Sequence, residues 1–140
     1  MFYNSEILLY IIVDFKRESN ILQRIIIIAG PSGVGKTTVS KYLTEKYNIP
    51  RVVTHTTRPI RQGEIPGKSY YFETDESFKK LHFFEHVKYG EYQYGSSKEA
   101  LEKAWAKNDL VSLIVETDGV KCYLEKLGKQ AYFIYLTVSD

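Results

Sequence analysis

Eight consecutive residues, Gly30-Pro31-Ser32-Gly33-Val34-Gly35-Lys36-Thr37, have types and spacing that can do chemistry. They read G-x-x-x-x-G-K-[ST], the pattern of a phosphate-binding loop. Gly33 and Gly35 admit backbone angles closed to other residues, so the loop can curl with its N–H groups inward. Those donors, with the positive end of a following helix, make a socket for a polyphosphate. Lys36 adds a full positive charge for the outer phosphates. The Thr37 hydroxyl, followed by Thr38, is suited to ligate Mg²⁺.

A second set of polar residues lies downstream. Residues 55–72 hold two prolines, two glycines and closely spaced charges, a loop with short strand pieces and a good ligand surface. Within it Arg58 and Arg61 present two planar forks that can clamp an anionic group. Glu116 closes an apolar run at 110–115, which puts a carboxylate at the C-terminal end of a strand, the end where α/β sheets hold ligands. His82-Phe83-Phe84-Glu85-His86 fits an H-x-x-E-H zinc pattern. Phe83 and Phe84 read as core residues of an extended segment, however, and no third ligand is evident, so partly exposed histidines are the better reading.

The phosphate loop works only between a buried strand and a helix. Residues 24–29, RIIIIA, form a short β-branched run suited to a parallel strand buried on both faces. Residues 37–47 follow with Val39, Tyr42, Leu43 and Tyr47 at helical spacing, and Asn48-Ile49-Pro50 stops the helix. The pattern then predicts a second core strand at 51–54 and a short helix over 76–81 capped by Asp75, with Phe78 and Leu81 inward. Residues 83–90 are expected to be extended and 92–97 to form a turn. A helix follows over 98–107 with a Leu101, Ala104, Trp105 stripe. A strand is expected at 110–116, a helix over 120–127 ended by Gly128, and a last strand at 132–136. Alternating strands and helices predict an α/β fold with a parallel sheet, interrupted by a β-rich insertion.

At 140 residues and 44% hydrophobic content the chain suits one domain with a real core. A net charge of +2 gives no broad field for nucleic acid or a membrane surface. Residues 7–13 are apolar but too few to span a bilayer, and Glu6 precedes them where a signal peptide wants positive charge. Residues 1–23 read as an extension, an added strand or a loosely attached segment. Cys122 is the single cysteine, so no disulfide framework arises and a reducing, cytoplasmic setting fits.

Three segments together, GPSGVGKTT at 30–38, T-T-R-P-x-R-x-G-E-x-x-G-x-x-Y-x-F at 56–72 and Y-G-S at 94–96, resemble the guanylate kinase family over residues 24–140. The resemblance implies a P-loop, nucleoside-monophosphate-kinase-like parallel sheet, with core at 24–53 and 97–140 and a small mixed β insertion at 54–96 that binds GMP. It implies phosphoryl transfer from ATP to GMP with Mg²⁺. By the same resemblance Arg58, Arg61, Tyr70 and Tyr94 clamp the GMP phosphate, and Thr54 keeps the hydroxyl of a family serine. Glu85 reads the guanine edge and Ser96 lies beside it. Glu116 stands where the family has aspartate, and Ile114 replaces that motif's other acid. A glutamate suits guanine because its oxygens accept from both the ring N–H and the exocyclic amine. Family members follow the strand like 132–136 with an arginine-bearing lid, a last strand and a helix, and this chain is expected to lack them. Two readings follow, an active ATP:GMP phosphotransferase and a catalytically impaired remnant or nucleotide- or protein-binding module.

Overall fold

The computed structural model describes residues 22–137, so the extension at residues 1–21 lies outside the described residues. Strand β1, Arg24–Ala29, is buried throughout. It is flanked on both edges by parallel strands, β6 (Leu110–Val115) and β7 (Ala131–Tyr135). The two-residue period of a strand sorts its side chains between two cores. Ile25, Ile27 and Ala29 join Leu101, Ala104, Val111, Leu113, Tyr123 and Leu127 on one face. Ile26 and Ile28 join Val39, Leu43 and Ile49 on the other.

Three helices supply those partners. Helix α1, Lys36–Tyr47, covers one face of the sheet and ends at Asn48, whose φ of 55° is left-handed. Helices α3 (Lys98–Trp105) and α4 (Val120–Leu127) cover the other. The Trp105 indole N–H donates to the Arg24 carbonyl at 2.9 Å and fixes α3 to the start of β1. Gly128 ends α4 at φ 52°, as its sequence position suggests.

A second sheet has the order β3-β2-β5-β4, from Tyr71–Phe72, His55–Thr56, Tyr92–Ser97 and Phe83–Tyr89. Here the structure corrects three sequence expectations. Residues 92–97 are a strand paired antiparallel with β4, and the turn is at Gly90-Glu91 instead. Polar and small residues there sit on a half-exposed sheet face, so hydrophobic alternation is weak. Residues 51–54 make a single bridge, Arg51 to Ser112, rather than a full strand. The short helix α2, Asp75–Lys79, is capped by Thr74, whose hydroxyl accepts from Ser77 N–H at 3.0 Å. Asp75 lies inside the helix, one position past the cap. Phe78 is buried there as expected, and Leu81 falls beyond the helix end, half-buried.

His55 ties the second sheet together. It is 3% exposed, with Nδ1 3.0 Å from Glu73 Oε1 and Nε2 2.6 Å from Ser97 Oγ. Burial pushes its pKa below the ordinary value, against the pull of Glu73. The neutral ring is thus the folded form. Stability is complete above the unfolded-chain value of about 6.5 and is lost as pH falls through the lowered folded value. The melting temperature is expected to drop by a few degrees, about 3 to 6, between pH 7.5 and 5.5, and a His55→Gln chain is expected to lose that dependence. Equal pH slopes for the two chains would refute this assignment.

Candidate active site

The parallel register sets the site. Ala29 pairs with Val115 and with Tyr135, so β1, β6 and β7 end at the same level. The loop 30–35 and Glu116 emerge side by side from those ends. Gly33 has φ 77° and Gly35 φ 102°, and Gly35 is the N-cap of α1 with no side-chain cap. Without a capping side chain, the first N–H groups of α1 remain available to an anion. Pro31, Ser32 and Gly33 are exposed, Val34 is buried beneath the loop, and Thr37 and Thr38 are exposed on the first turn.

Lys36 is 8% exposed and folds back over the loop. Its ammonium donates to the Gly30 carbonyl at 2.5 Å, the Pro31 carbonyl at 3.2 Å and Glu116 Oε2 at 3.3 Å. The longer Glu116, in the family's aspartate position, thus reaches the loop lysine. A charge this buried needs those acceptors.

A cavity of about 630 Å³ is lined by the start of α1 from Thr37, by the end of β6 and by residues of the second sheet. Among the residues expected from sequence, Thr37, Thr54, Tyr70, Glu85, Tyr94, Ser96 and Glu116 line it. Glu85 and Ser96 are cross-strand partners across a register shift in β4 that re-aims the residues after Phe83. The Glu85 carboxylate packs on Gly119, where any Cβ would collide with it. A side chain at 119 would therefore displace the Glu85 carboxylate from its present position. Burial first, then Asp118 and Glu116, holds the Glu85 carboxyl above the usual range. The buried Ser96 hydroxyl is bonded to the Tyr123 hydroxyl.

Arg58 and Arg61 do not line the cavity. The Arg58 guanidinium is 6% exposed and forms a two-pronged pair with Glu64, 2.8 Å on each prong. It also donates to the Pro59 carbonyl at 3.0 Å and lies 5.3 Å from the Tyr70 ring centre. Tyr70 and Tyr94 are 6.1 Å apart edge-on. Three of the four expected clamp residues therefore adjoin. The exposed Arg61 joins through its backbone N–H, which donates to Glu64 Oε1 at 2.8 Å. The Arg58 guanidinium holds the Glu64 carboxyl down to about 2, while Glu64 raises the Arg58 pKa further.

Sequence reasoning left two of these residues without a role. Glu64 was visible as the carboxylate of R-x-G-E, the nearest counter-charge to both arginines. Tyr123 gave no signal, because its helical position reads as core and only the structure aims its hydroxyl at Ser96. The H-x-x-E-H stretch spans the start of strand β4, and His82 Nδ1 pairs with Glu99 at 2.5 Å. Among the described residues no cluster of three His, Cys, Asp or Glu side chains is arranged to hold a metal. None of the described helices is long and apolar enough to cross a membrane.

Comparison with known proteins fits this geometry. A family profile, Guanylate kinase, matches residues 22–140. A guanylate kinase 2, chloroplastic/mitochondrial, of Oryza sativa subsp. japonica is 40% identical, over 83% of this chain and 42% of that protein. A guanylate kinase of Sus scrofa is 35% identical, over 81% and 60%. The crystal structure of guanylate kinase from Anaplasma phagocytophilum superposes with a TM-score of 0.61 at 30% identity, covering 81% of this chain and 60% of that one. The chain spans about half the length of the curated relatives it matches. A phosphate loop, a cavity lined by Thr37 and by the second sheet, and a profile match over most of the sequence together establish that the chain belongs to the guanylate kinase family.

Proposed function

We propose that the chain binds ATP at the loop 30–38 and GMP across the cavity, and that it transfers the terminal phosphoryl group to give ADP and GDP. The observation that carries this reading is the cavity itself. Thr37 of α1 and Glu116 at the end of β6 share its lining with Tyr70, Tyr94, Glu85 and Ser96 of residues 54–96. An acceptor held by the latter set would present its phosphate to a donor held beside Thr37. Residues 54–96 are in this reading the acceptor-binding insertion, and the setting is the cytoplasm.

The chemistry asks little covalent work of the protein. An oxygen of the acceptor phosphate forms a bond to the transferring phosphorus as the bond to the leaving ADP oxygen breaks. Catalysis is then positioning and charge neutralisation. The loop N–H groups and Lys36 would bind the donor phosphates, with Lys36 exchanging its bonds to the Gly30 and Pro31 carbonyls for phosphate oxygens. Glu85 would accept from the ring N–H and amine of guanine, and Ser96 would bound that edge. The residues present fit a divalent cation, because the exposed Thr37 and the carboxylate of Glu116 both line the cavity. The Thr37 hydroxyl would hold Mg²⁺ there, and the chemistry it would supply is neutralisation of charge on the donor phosphates.

Glu64 has a positioning task in this scheme. It holds the Arg58 fork against Tyr70 and shapes the backbone at Arg61. Glu64→Gln is expected to raise KM for GMP about tenfold and to leave kcat within about twofold, since a charge-assisted pair is lost away from the reacting atoms. An unchanged or lowered KM would mean that Glu64 competes with the acceptor phosphate instead of presenting the arginine. The reading as a whole is tested by following ADP formation by the full chain with ATP and Mg²⁺, with GMP, AMP, CMP and UMP as acceptors. Turnover with GMP well above the other three is expected. Its absence would overturn the phosphotransferase reading.

A further inference from the structure

The two arginines that sequence assigns to the acceptor phosphate are not among the residues lining the cavity, although Arg58 adjoins its lining residue Tyr70, and two other cations line it. Arg51 and Lys41 stand on its wall with Thr37, Ser40, Ser69 and Tyr70. Each has a structural reason to be there. Arg51 forms the bridge to Ser112 on the edge of β6, between the bonds Val52 N–H to Ser112 O (2.7 Å) and Ser112 N–H to Pro50 O (2.9 Å). Alternation along that extended piece sends Val52 into the core and leaves Arg51 free to face outward. Thr37, Ser40 and Lys41 lie on one face of α1 by their three- and four-residue spacing. Ser40 Oγ is 3.5 Å from Ser112 Oγ, so α1 and Arg51 are anchored at the same β6 residue. Lys41 and Arg51 thus enter the cavity from neighbouring points.

The guanidinium of Arg51 is poorly answered among the described residues. It is half-buried and makes one bond with them, Nη2 to the Lys68 carbonyl at 2.9 Å. Among the described residues no carboxylate pairs with it. Burial lowers its pKa, partly offset by Tyr70 nearby, and an arginine remains charged regardless. A half-desolvated cation with unused donors is stabilised by an anion. The lining also carries both signs of charge, with the three acids close to one another. Lys41 and Arg51 contribute positive charge, while Glu85, Glu116 and Asp118 contribute negative charge. A nucleoside monophosphate carries complementary polarity, an anion at one end and hydrogen-bond donors on its base at the other.

We propose that Arg51, assisted by Lys41, is a further phosphate-binding residue of the acceptor site, holding the monophosphate from the cavity wall in addition to the Arg58, Tyr70 and Tyr94 group. This deepens the GMP reading above and rests on it. Tyr70 is the shared element, with the Arg58 guanidinium at its ring and Arg51 reaching the carbonyl two residues before it.

The test compares GMP with guanosine, which lacks the phosphate, by calorimetric titration of the full chain. The ratio of the two affinities isolates phosphate recognition from guanine recognition and from general loosening of the fold. For the unaltered chain GMP is expected to bind more tightly. Arg51→Gln is expected to shrink the ratio about tenfold or more, while guanosine affinity stays the same. Arg51→Lys should recover part of the loss. Lys41→Gln, a change on an exposed helix face, is expected to shrink the ratio about threefold. If Arg51→Gln fails to melt cooperatively, Lys41→Gln and Arg51→Lys carry the test. A ratio unchanged in every folded variant overturns the assignment and leaves the GMP reading standing. An unaltered chain that binds neither compound, or both equally, removes both.

Discussion

Lys36→Ala is expected to lower GMP-dependent ADP formation by about 10³-fold or more, to the limit of detection, while the chain still melts cooperatively. The size follows from where the charge sits. Lys36 is 8% exposed at the first position of α1, and its ammonium is within 3.3 Å of both loop carbonyls and Glu116. Donor phosphates held by the loop would place their oxygens within reach of that ammonium. Charge that develops during transfer would then be neutralised by a group needing no reorganisation. Alanine keeps the helix, since its propensity is the best available, but leaves the loop with N–H dipoles alone. It also leaves Glu116 without its partner. Glu116 is largely exposed and can be solvated, so the fold should survive. The measurement is steady-state ADP release by parent and variant at saturating ATP, Mg²⁺ and GMP, with melting curves on the same samples. A variant retaining a tenth of parental turnover would show that the loop is not the donor site.

The phosphate loop was legible because everything that defines it is local. Four isoleucines, the spaced glycines and a helical stripe follow one another within a short stretch, and each element needs only its neighbours to be recognised. The β5 strand was not legible. Its residues Tyr92–Ser97 read as a turn because their strand character comes from pairing with β4 and β2, not from their own alternation. Residues 51–54 erred the other way. Their β-branched run promised a strand, and tertiary context granted one bridge. Asp75 and Thr74 differ by one position, the ordinary uncertainty of helix ends. The resemblance named the clamp residues, but no reading of spacing foretold that Arg58 would be committed to Glu64, or that Arg51 would face the cavity. Both depend on side-chain direction, and direction is set by the sheet edges each residue is tied to.

If Glu85 reads the base, as the proposed function has it, Glu85→Gln is expected to weaken GMP binding about a hundredfold or more. The carboxylate would offer acceptors to two donors on the guanine edge, each a charge-assisted bond. A carboxamide keeps the shape yet presents an NH₂ group to one of those donors, leaving it unpaired in a half-buried site. AMP presents no such pair of donors, so its weak binding should barely change and the preference for GMP should collapse. The same residue predicts a pH dependence with a definite sign. Burial and the neighbouring Asp118 and Glu116 hold the Glu85 carboxyl above its ordinary value. As pH falls, Glu85 therefore takes up its proton before an ordinary glutamate would, and the protonated form loses an acceptor. GMP affinity should fall with decreasing pH in the range above the ordinary carboxylate value, about 4.5. The Glu85→Gln chain, having no proton to gain there, should bind weakly and evenly across that range. Calorimetric titration of both chains from pH 7.5 downward separates the effects. A Glu85→Gln chain that kept both its GMP preference and the parental pH profile would remove Glu85 from base recognition. Its place on the bulged β4 strand, against Gly119 and opposite Ser96, would then be a matter of packing alone.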